Sequence, residues 1–131
     1  MENVIPINTA ASIMSPYRKN IEKALQYSKG THTYSDVVSA VEDQSLQFWP
    51  GENSSFLITE LVQYPQKKSL HIFLSACELP TLKKMIGSVE LFAKELACDH
   101  ITICGRHGWK KIGKDYGYKE EWSYLYKELE K

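Results

Sequence analysis

The sequence has little of what marks several large classes of protein. Its 131 residues contain 3 cysteines, and this sparse, odd set argues against a disulfide framework and favours a reducing compartment such as the cytoplasm. No apolar run reaches the ~18 residues of a membrane span, and the N-terminus lacks the basic stretch of a signal peptide. The 16 basic and 16 acidic residues balance to a formal net charge of zero. Because the lysines are also scattered, the composition predicts neither a nucleic-acid partner nor a membrane partner.

Metal-site spacing is missing as well. Cys98, His100, Cys104 and His107 are residue types that bind zinc, and they lie close together in the sequence. If His100 and Cys104 share a strand, however, they lie ~13 Å apart, whereas zinc bonds measure ~2.0–2.3 Å. We therefore predict no metal site.

Cys77 allows two interpretations. It ends a predicted strand, where it could be a nucleophile activated by His107, or it is a small apolar residue of the core. His71 lies on the same strand but ~20 Å away, so it cannot activate Cys77.

What the sequence does contain is a strand, a long helix and a second strand in close succession. Residues 69–77 form an apolar strand, residues 80–97 an amphipathic helix, and residues 100–104 a short buried strand. This order is typical of two parallel strands joined by a crossover helix. The hinge at residues 77–81 then lies where open α/β sheets bind ligands and where helix N–H groups favour anions.

Two helices are predicted before the sheet. Ser15 and Pro16 are typical of a helix start, and Gly30 of its end. Thr33 predicts a second helix, with Asp36 placed to bond its free N–H groups. Residues 1–14 are weakly patterned, so we expect an N-terminal extension or edge strand there and one domain over residues 15–131.

Further strands flank the central one. Residues 46–49 and 54–64, joined to residues 69–77 by short polar turns, predict an antiparallel meander. Residues 118–129 alternate in polarity, which predicts a half-exposed, aromatic-rich final strand.

This order of elements resembles the GNAT superfamily of N-acetyltransferases. The ending Tyr116-Gly117-Tyr118 with Tyr126-Lys127-Glu128-Leu129 resembles the family's closing motif, and residues 46–51 and 105–109 resemble small GNAT-like proteins of tailed phages. The resemblance covers about residues 15 to 129. It implies a single α/β (α+β) domain with a mixed, mostly antiparallel sheet and helices on both faces. It also implies a cytoplasmic protein (in the host cytoplasm or virion, if phage-encoded) that transfers an acyl group from acetyl-CoA to an amine.

The resemblance also implies where acetyl-CoA binds, namely in the cleft between the strands at residues 69–77 and 101–104. Pantetheine would bond the end of the first strand, and the pyrophosphate would lie at the start of the helix, with lysine or arginine charge nearby. The expected cofactor-binding residues are Ser75, Ala76, Cys77, Leu79, Thr81, Leu82, Lys83, Arg106 and Trp109, with Lys84 as a further source of charge.

Arg106 and Trp109 carry alternatives from their own chemistry. Arg106 could bind a phosphate or carboxylate in bidentate fashion, and Trp109 could stack on a ring such as adenine. Alternatively, Arg106 pairs with a surface acid and Trp109 caps the core.

Glu60 is the candidate catalytic residue. It shares a strand face with Phe56, Ile58 and Val62, which predicts a carboxylate inside an apolar layer. Such a group is suited to accept a proton from an ammonium ion, directly or through water, as a general base. The alternative is a structural carboxylate that pairs with a lysine or a tyrosine hydroxyl.

Other residues support a second hypothesis. The hinge has no glycine, Glu78 repels phosphate, and Pro80 lacks an N–H donor. Gly113 stands where the family often has a tyrosine as general acid. On this hypothesis the chain keeps the fold as a binding or assembly protein, and its aromatic final strand pairs with a second copy or a protein partner.

Overall fold

The computed structural model describes residues 9–104, 113–121 and 124–130. A single mixed sheet has the strand order β1-β2-β3-β4. The strands are β1 (Leu46–Pro50), β2 (Phe56–Gln63), β3 (Lys68–Ala76) and β4 (His100–Ile103). The helices are α1 (Ala10–Met14), α2 (Arg18–Leu25), α3 (Tyr34–Glu42) and α4 (Leu79–Glu95).

Local capping explains where the first helices begin and end. Thr33 accepts a bond from the Asp36 amide, and the Asp36 side chain accepts one from the Thr33 amide, so the predicted capping box of α3 is confirmed. α2 is flanked by short 3-10 turns, and it ends before Lys29 and Gly30, which have φ angles of 60° and 77°. Among the described residues, no helix combines the length and apolar character needed to cross a bilayer.

Pairing in the sheet agrees with the predicted meander and crossover. β2 pairs antiparallel with both β1 and β3. β3 pairs parallel with β4, and α4 connects these two strands in the chain. The β2–β3 register shifts where Ile58 pairs with Leu74 but Thr59 pairs with Ile72. Phe73 is therefore an extra residue in β3, a β-bulge of the kind that bends a strand and re-aims its side chains.

Helices cover both faces of the sheet, as the sequence predicts. Side chains of α1, α2 and α3 pack on one face against Phe56, Ile58 and Leu74. Side chains of α4 pack on the other face against Leu57 and Ile72. Burial of these two apolar layers is the main source of the fold's stability.

The prediction of a final strand is wrong for the residues that the structure describes. Residues 118–121 and 124–130 have no strand assignment. Tyr118 instead lies against α4, where its hydroxyl donates a hydrogen bond of 2.8 Å to Glu90. Burial, together with the Glu90 carboxylate, raises the pKa of Tyr118. The backbone N–H of Tyr118 donates to the Gly113 carbonyl at 2.8 Å, so this group is used in a local turn and not in a strand ladder.

The predicted N-terminal extension or edge strand, residues 1–14, lies partly outside the described residues and stays a prediction. Val4, Ile5 and Ile7, which suggested an edge strand, lie outside the described residues. Residues 10–14 form α1, and Met14 is fully buried in the core.

Candidate functional site

The site begins where the pairing of two parallel strands ends. The registered pairs of β3 and β4 end with Ile72 opposite Ile103, whereas β3 continues to Ala76. At ~3.3 Å per residue, these four further residues extend β3 by ~13 Å beyond the last pair. We refer to the position beside residues 73–76, beyond the Ile72–Ile103 pair, as the β3–β4 cleft.

The hinge after β3 leads directly into α4. Glu78 is the N-cap, its side chain makes no capping bond, and its carbonyl accepts the first helical bond from Leu82 at 2.9 Å. The first-turn N–H groups of a helix have no partner within the helix. Pro80 lacks an N–H, so Leu79 and Thr81 are the first-turn residues that retain one. The anion-binding capacity of this helix start is therefore reduced but present.

A cavity of about 470 Å³ adjoins the hinge. The end of β3 supplies one side of it, α2 and the turn that follows supply another, and the β1–β2 turn supplies the rest. Its lining residues are Asn20, Lys23, Ala24, Gln26, Tyr27, Asn53, Ser55, Ser75, Ala76, Cys77 and Glu78.

The β1–β2 turn fixes the hinge against α4. A side chain on Gly51 would meet the Met85 sulfur at 2.8 Å and a Thr81 methyl at 2.9 Å, so only glycine permits this approach without a shift. Tyr17 donates a bond of 3.2 Å to the Gly51 carbonyl. These contacts join α2, the turn and α4 around one end of the sheet.

Cys77 is a packed thiol. Its Sγ donates to the Phe56 carbonyl at 3.2 Å and lies 3.9 Å from the Met85 sulfur. Burial raises the pKa of the Cys77 thiol to about 11. Because the thiolate is the nucleophile, this environment favours the interpretation of Cys77 as a core residue. His107 lies outside the described residues.

The other predicted cofactor residues occupy different settings. Thr81 and Leu82 have buried side chains, so only their backbone can face a ligand. Lys83 is exposed, whereas Lys84 forms an exposed ion pair of 3.0 Å with Glu52. Arg106 and Trp109 lie outside the described residues.

Glu60 lies away from the hinge. It pairs with His71 across the β2–β3 ladder and is half-buried. Glu60 lies four positions along β2 from Phe56, which pairs with Ala76, so Glu60 is ~13 Å along the sheet from the cavity. Since β3 lies between β2 and β4, His71 separates Glu60 from Thr102, in the pair next to the closed end of the β3–β4 cleft.

His71 and Thr102 are the functional candidates that the sequence did not reveal. His71 Nδ1 lies 2.8 Å from Thr102 Oγ1, in the pair next to the end of the β3–β4 register. The alternation of β3 indicated which face His71 occupies. No local signal indicated that Thr102 would stand beside it, because that depends on the register of a parallel pair.

The polar residues of α2 were also missed. Asn20 and Lys23 of α2 line the cavity together with Gln26 of the 3-10 turn that follows, and Asn20 donates to the Ser54 carbonyl at 2.9 Å. Helical periodicity showed that these residues lie on the polar side of the helix. It did not show that this polar side lies beside the end of β3. Within the described part of the chain, no group of three or more histidine, cysteine or acidic residues could hold a metal ion.

Comparison with known proteins is informative at the level of structure. The sequence matches no protein-family model and no curated protein. A protein of Bacillus halodurans, solved as a tetramutant, superposes with a TM-score of 0.67 at 15% identity over 92% of this chain and 96% of that chain.

Two further neighbours carry descriptions of activity. A predicted acetyltransferase from Clostridium acetobutylicum, solved with acetyl-CoA, has a TM-score of 0.61 at 16% identity over 90% of this chain and 89% of that chain. A ribosomal-protein-alanine N-acetyltransferase from Brucella melitensis biovar Abortus 2308 has a TM-score of 0.58 at 11% identity over 86% and 95% of the two chains. The chain has the fold of GNAT-type acetyltransferases, as the order of its elements predicts.

Proposed function

We propose that this protein is an acyl-CoA-dependent N-acyltransferase with its cofactor in the β3–β4 cleft. The observation that carries the proposal is the end of β3–β4 pairing at Ile72 and Ile103, whereas β3 continues to Ala76, close to the start of α4. In the described part of the chain β4 pairs with β3 only as far as Ile72. The edge of a strand can bind an extended ligand through its backbone, and the helix start offers N–H groups to a phosphate. One neighbour of the same fold was solved with acetyl-CoA.

The residues around the cleft would bind two parts of such a cofactor, the pantetheine arm and the pyrophosphate. The backbone of Ser75, Ala76 and Cys77 would bond the extended pantetheine arm. The N–H groups of Leu79 and Thr81 would receive the pyrophosphate, with charge from the exposed Lys83. Acetyl-CoA supplies an acetyl group already activated as a thioester.

The acceptor in this proposal is an amine that approaches from the cavity side. At the cavity, Asn20 and Lys23 of α2 and Gln26 of the following 3-10 turn lie beside the end of β3. An amine must lose a proton to act as a nucleophile, so the reaction needs a proton acceptor. Glu60 of β2 is the proposed general base for that step, accepting the proton directly or through water.

Thermal unfolding with and without acetyl-CoA tests this function. Ligand at 100 times its dissociation constant stabilises a protein by about 2.7 kcal/mol, so a clear rise in Tm is expected. Lys83→Ala should weaken the rise, whereas Lys94→Ala, at the far end of α4, should not. No rise in Tm with millimolar acetyl-CoA or coenzyme A would contradict the proposal.

A second candidate function is a binding or assembly protein that keeps the fold without the chemistry. The observation in its favour is an exposed apolar end of the chain, where Tyr124 is 77% exposed, Leu125 91% and Leu129 75%. Exposed apolar residues in a cluster are typical of interaction sites. Mass measurement by light scattering tests this function, which predicts a dimer that Leu125→Ser with Leu129→Ser converts to a monomer.

We also propose a cytoplasmic location. Cys77, Cys98 and Cys104 are free thiols, and a reducing compartment preserves free thiols. A phage-encoded chain would meet the same conditions in its host.

A further inference from the structure

The closed end of the β3–β4 cleft carries a polar pair on one face of the sheet. The last two registered pairs are His71 with Thr102 and Ile72 with Ile103. Successive side chains of a strand point to opposite faces. Ile72 and Ile103 pack on the α4 face, so His71 and Thr102 lie on the opposite face, the one that α2 covers.

A hydrogen bond fixes the histidine ring. His71 Nδ1 and Thr102 Oγ1 are 2.8 Å apart, and Ser69 Oγ lies 3.5 Å from the same threonine oxygen. If Nδ1 donates its proton to Thr102 Oγ1, then Nε2 carries the free lone pair of a neutral imidazole. In the reverse arrangement the threonine hydroxyl donates to Nδ1 and the ring proton lies on Nε2, so the role of Nε2 as a proton acceptor requires the first arrangement.

The charges around His71 suit a group that gains and loses a proton. Glu60 pairs with His71 from β2, and its charge raises the histidine pKa, but burial lowers that pKa more strongly. His100 precedes Thr102 by two residues on β4, and His32 contacts the ring of Phe73 on the same face. The burial of His71 therefore favours its neutral form, and Glu60 is placed to offset the positive charge that the ring would gain.

We propose that His71 is a catalytic residue that accepts the proton of the acceptor ammonium group, with Thr102 as a positioning residue. This inference rests on the proposed acyltransferase function and replaces direct proton transfer to Glu60. The proton leaves the ammonium nitrogen and binds Nε2 of His71, which gives a neutral amine and an imidazolium. The imidazolium, whose charge Glu60 balances, later returns its proton to water.

The position of His71 supports this role. A cofactor arm that extends along residues 73–76 from the hinge ends at the Ile72–Ile103 pair, because β3 and β4 are hydrogen-bonded from there on. His71 is the next residue of β3. The cavity adjoins α2 and the same end of β3, and its lining begins at Ser75, four positions along β3 from His71.

Nitrogen-15 NMR of the histidine rings tests the inference without knowledge of the acceptor. The ring signals of His71 are assigned by their loss in His71→Gln, and those of His100 by their loss in His100→Gln. At neutral pH we expect a neutral His71 ring protonated at Nδ1. In Thr102→Val, which removes the hydroxyl at nearly constant volume, we expect a mixture of tautomers, while His100 stays unchanged.

Addition of acetyl-CoA separates this inference from the function on which it rests. We expect saturable shifts of the His71 ring and of the Ser75–Cys77 amides, with His100 unaffected. Two results would overturn the role of His71 and leave the acyltransferase function standing. One is a shift at residues 75–77 with an unchanged His71 ring, and the other is a His71 ring protonated at Nε2 in the free protein. An absence of saturable shifts anywhere would overturn the acyltransferase function and this inference together.

Discussion

Gly51 lies so close to Met85 that a side chain at position 51 would meet the methionine sulfur at 2.8 Å. The contact joins the β1–β2 turn to the second turn of α4, next to the hinge. Gly51 has an extended backbone (φ −123°, ψ −176°) that any residue can adopt. The requirement for glycine is therefore one of space and not of backbone conformation.

This contact gives a prediction about stability. Gly51→Ala should lower the free energy of unfolding by about 1–3 kcal/mol, the usual cost of overpacking a filled site. Gly87→Ala is the matched control, because a side chain there meets no atom within 4 Å. Since alanine favours helix over glycine by roughly 0.5–1 kcal/mol, the control should gain stability in urea unfolding. A loss of stability in both variants, or in neither, would contradict the packing described for Gly51.

The thiols should differ in reactivity. The pKa of Cys77 is raised to about 11 by burial, so at pH 8 its thiolate fraction is about 100-fold below that of a thiol with a pKa near 9. Cys104 is exposed and should react with iodoacetamide first. Peptide mass spectrometry over a time course measures both rates. Alkylation of Cys77 as fast as that of Cys104 in the folded protein would show that Cys77 is not packed as described.

Stability should depend on pH through His71. Burial lowers its pKa in the folded state from 6.5, so below about pH 6.5 the unfolded chain binds more protons than the folded one. The free energy of unfolding should therefore fall as the pH decreases from about 6.5 through the folded-state pKa. His71→Gln should flatten this part of the profile, measured by urea unfolding at several pH values, and His100→Gln should not. An equally steep profile for His71→Gln would assign the pH dependence to other groups.

The acid at the hinge should weaken cofactor binding. Glu78 is exposed and caps α4, where a pyrophosphate would lie. Glu78→Gln removes a like charge, so calorimetric affinity for coenzyme A should rise by up to about fivefold, equivalent to ~1 kcal/mol for a charge at a helix start. The gain should shrink at high salt. Glu95→Gln, at the opposite end of α4, is the control. Equal affinities of the two variants for coenzyme A would show that the pyrophosphate does not bind at the hinge.

Much of the fold follows from local sequence patterns. The capping pair of Thr33 and Asp36, the meander and the crossover through α4 were all predicted, because caps, turns and periodicity are properties of neighbouring residues. The final strand was not. Alternation over residues 118–129 fits a strand, but Tyr118 bonds Glu90 of α4, and a contact over that distance leaves no mark in the local pattern.

The candidate site was predictable only along one strand. Ser75, Ala76 and Cys77 were selected by their place at the end of β3, and they do line the cavity. The opposing residues Asn20 and Lys23 belong to α2, and the partner of His71 belongs to β4. Both depend on how separate elements pack together, which the sequence of one element does not encode.

A titration of the nitrogen-15-labelled protein with acetyl-CoA, followed at the backbone amides, shows directly whether the cofactor binds at the end of β3 and the start of α4. We expect saturable shifts concentrated at Ser75–Cys77 and in the first turn of α4, with residues of α3 unaffected. Saturable shifts that avoid β3 and the start of α4, or spectra that stay unchanged at millimolar acetyl-CoA, would contradict the proposed cofactor site.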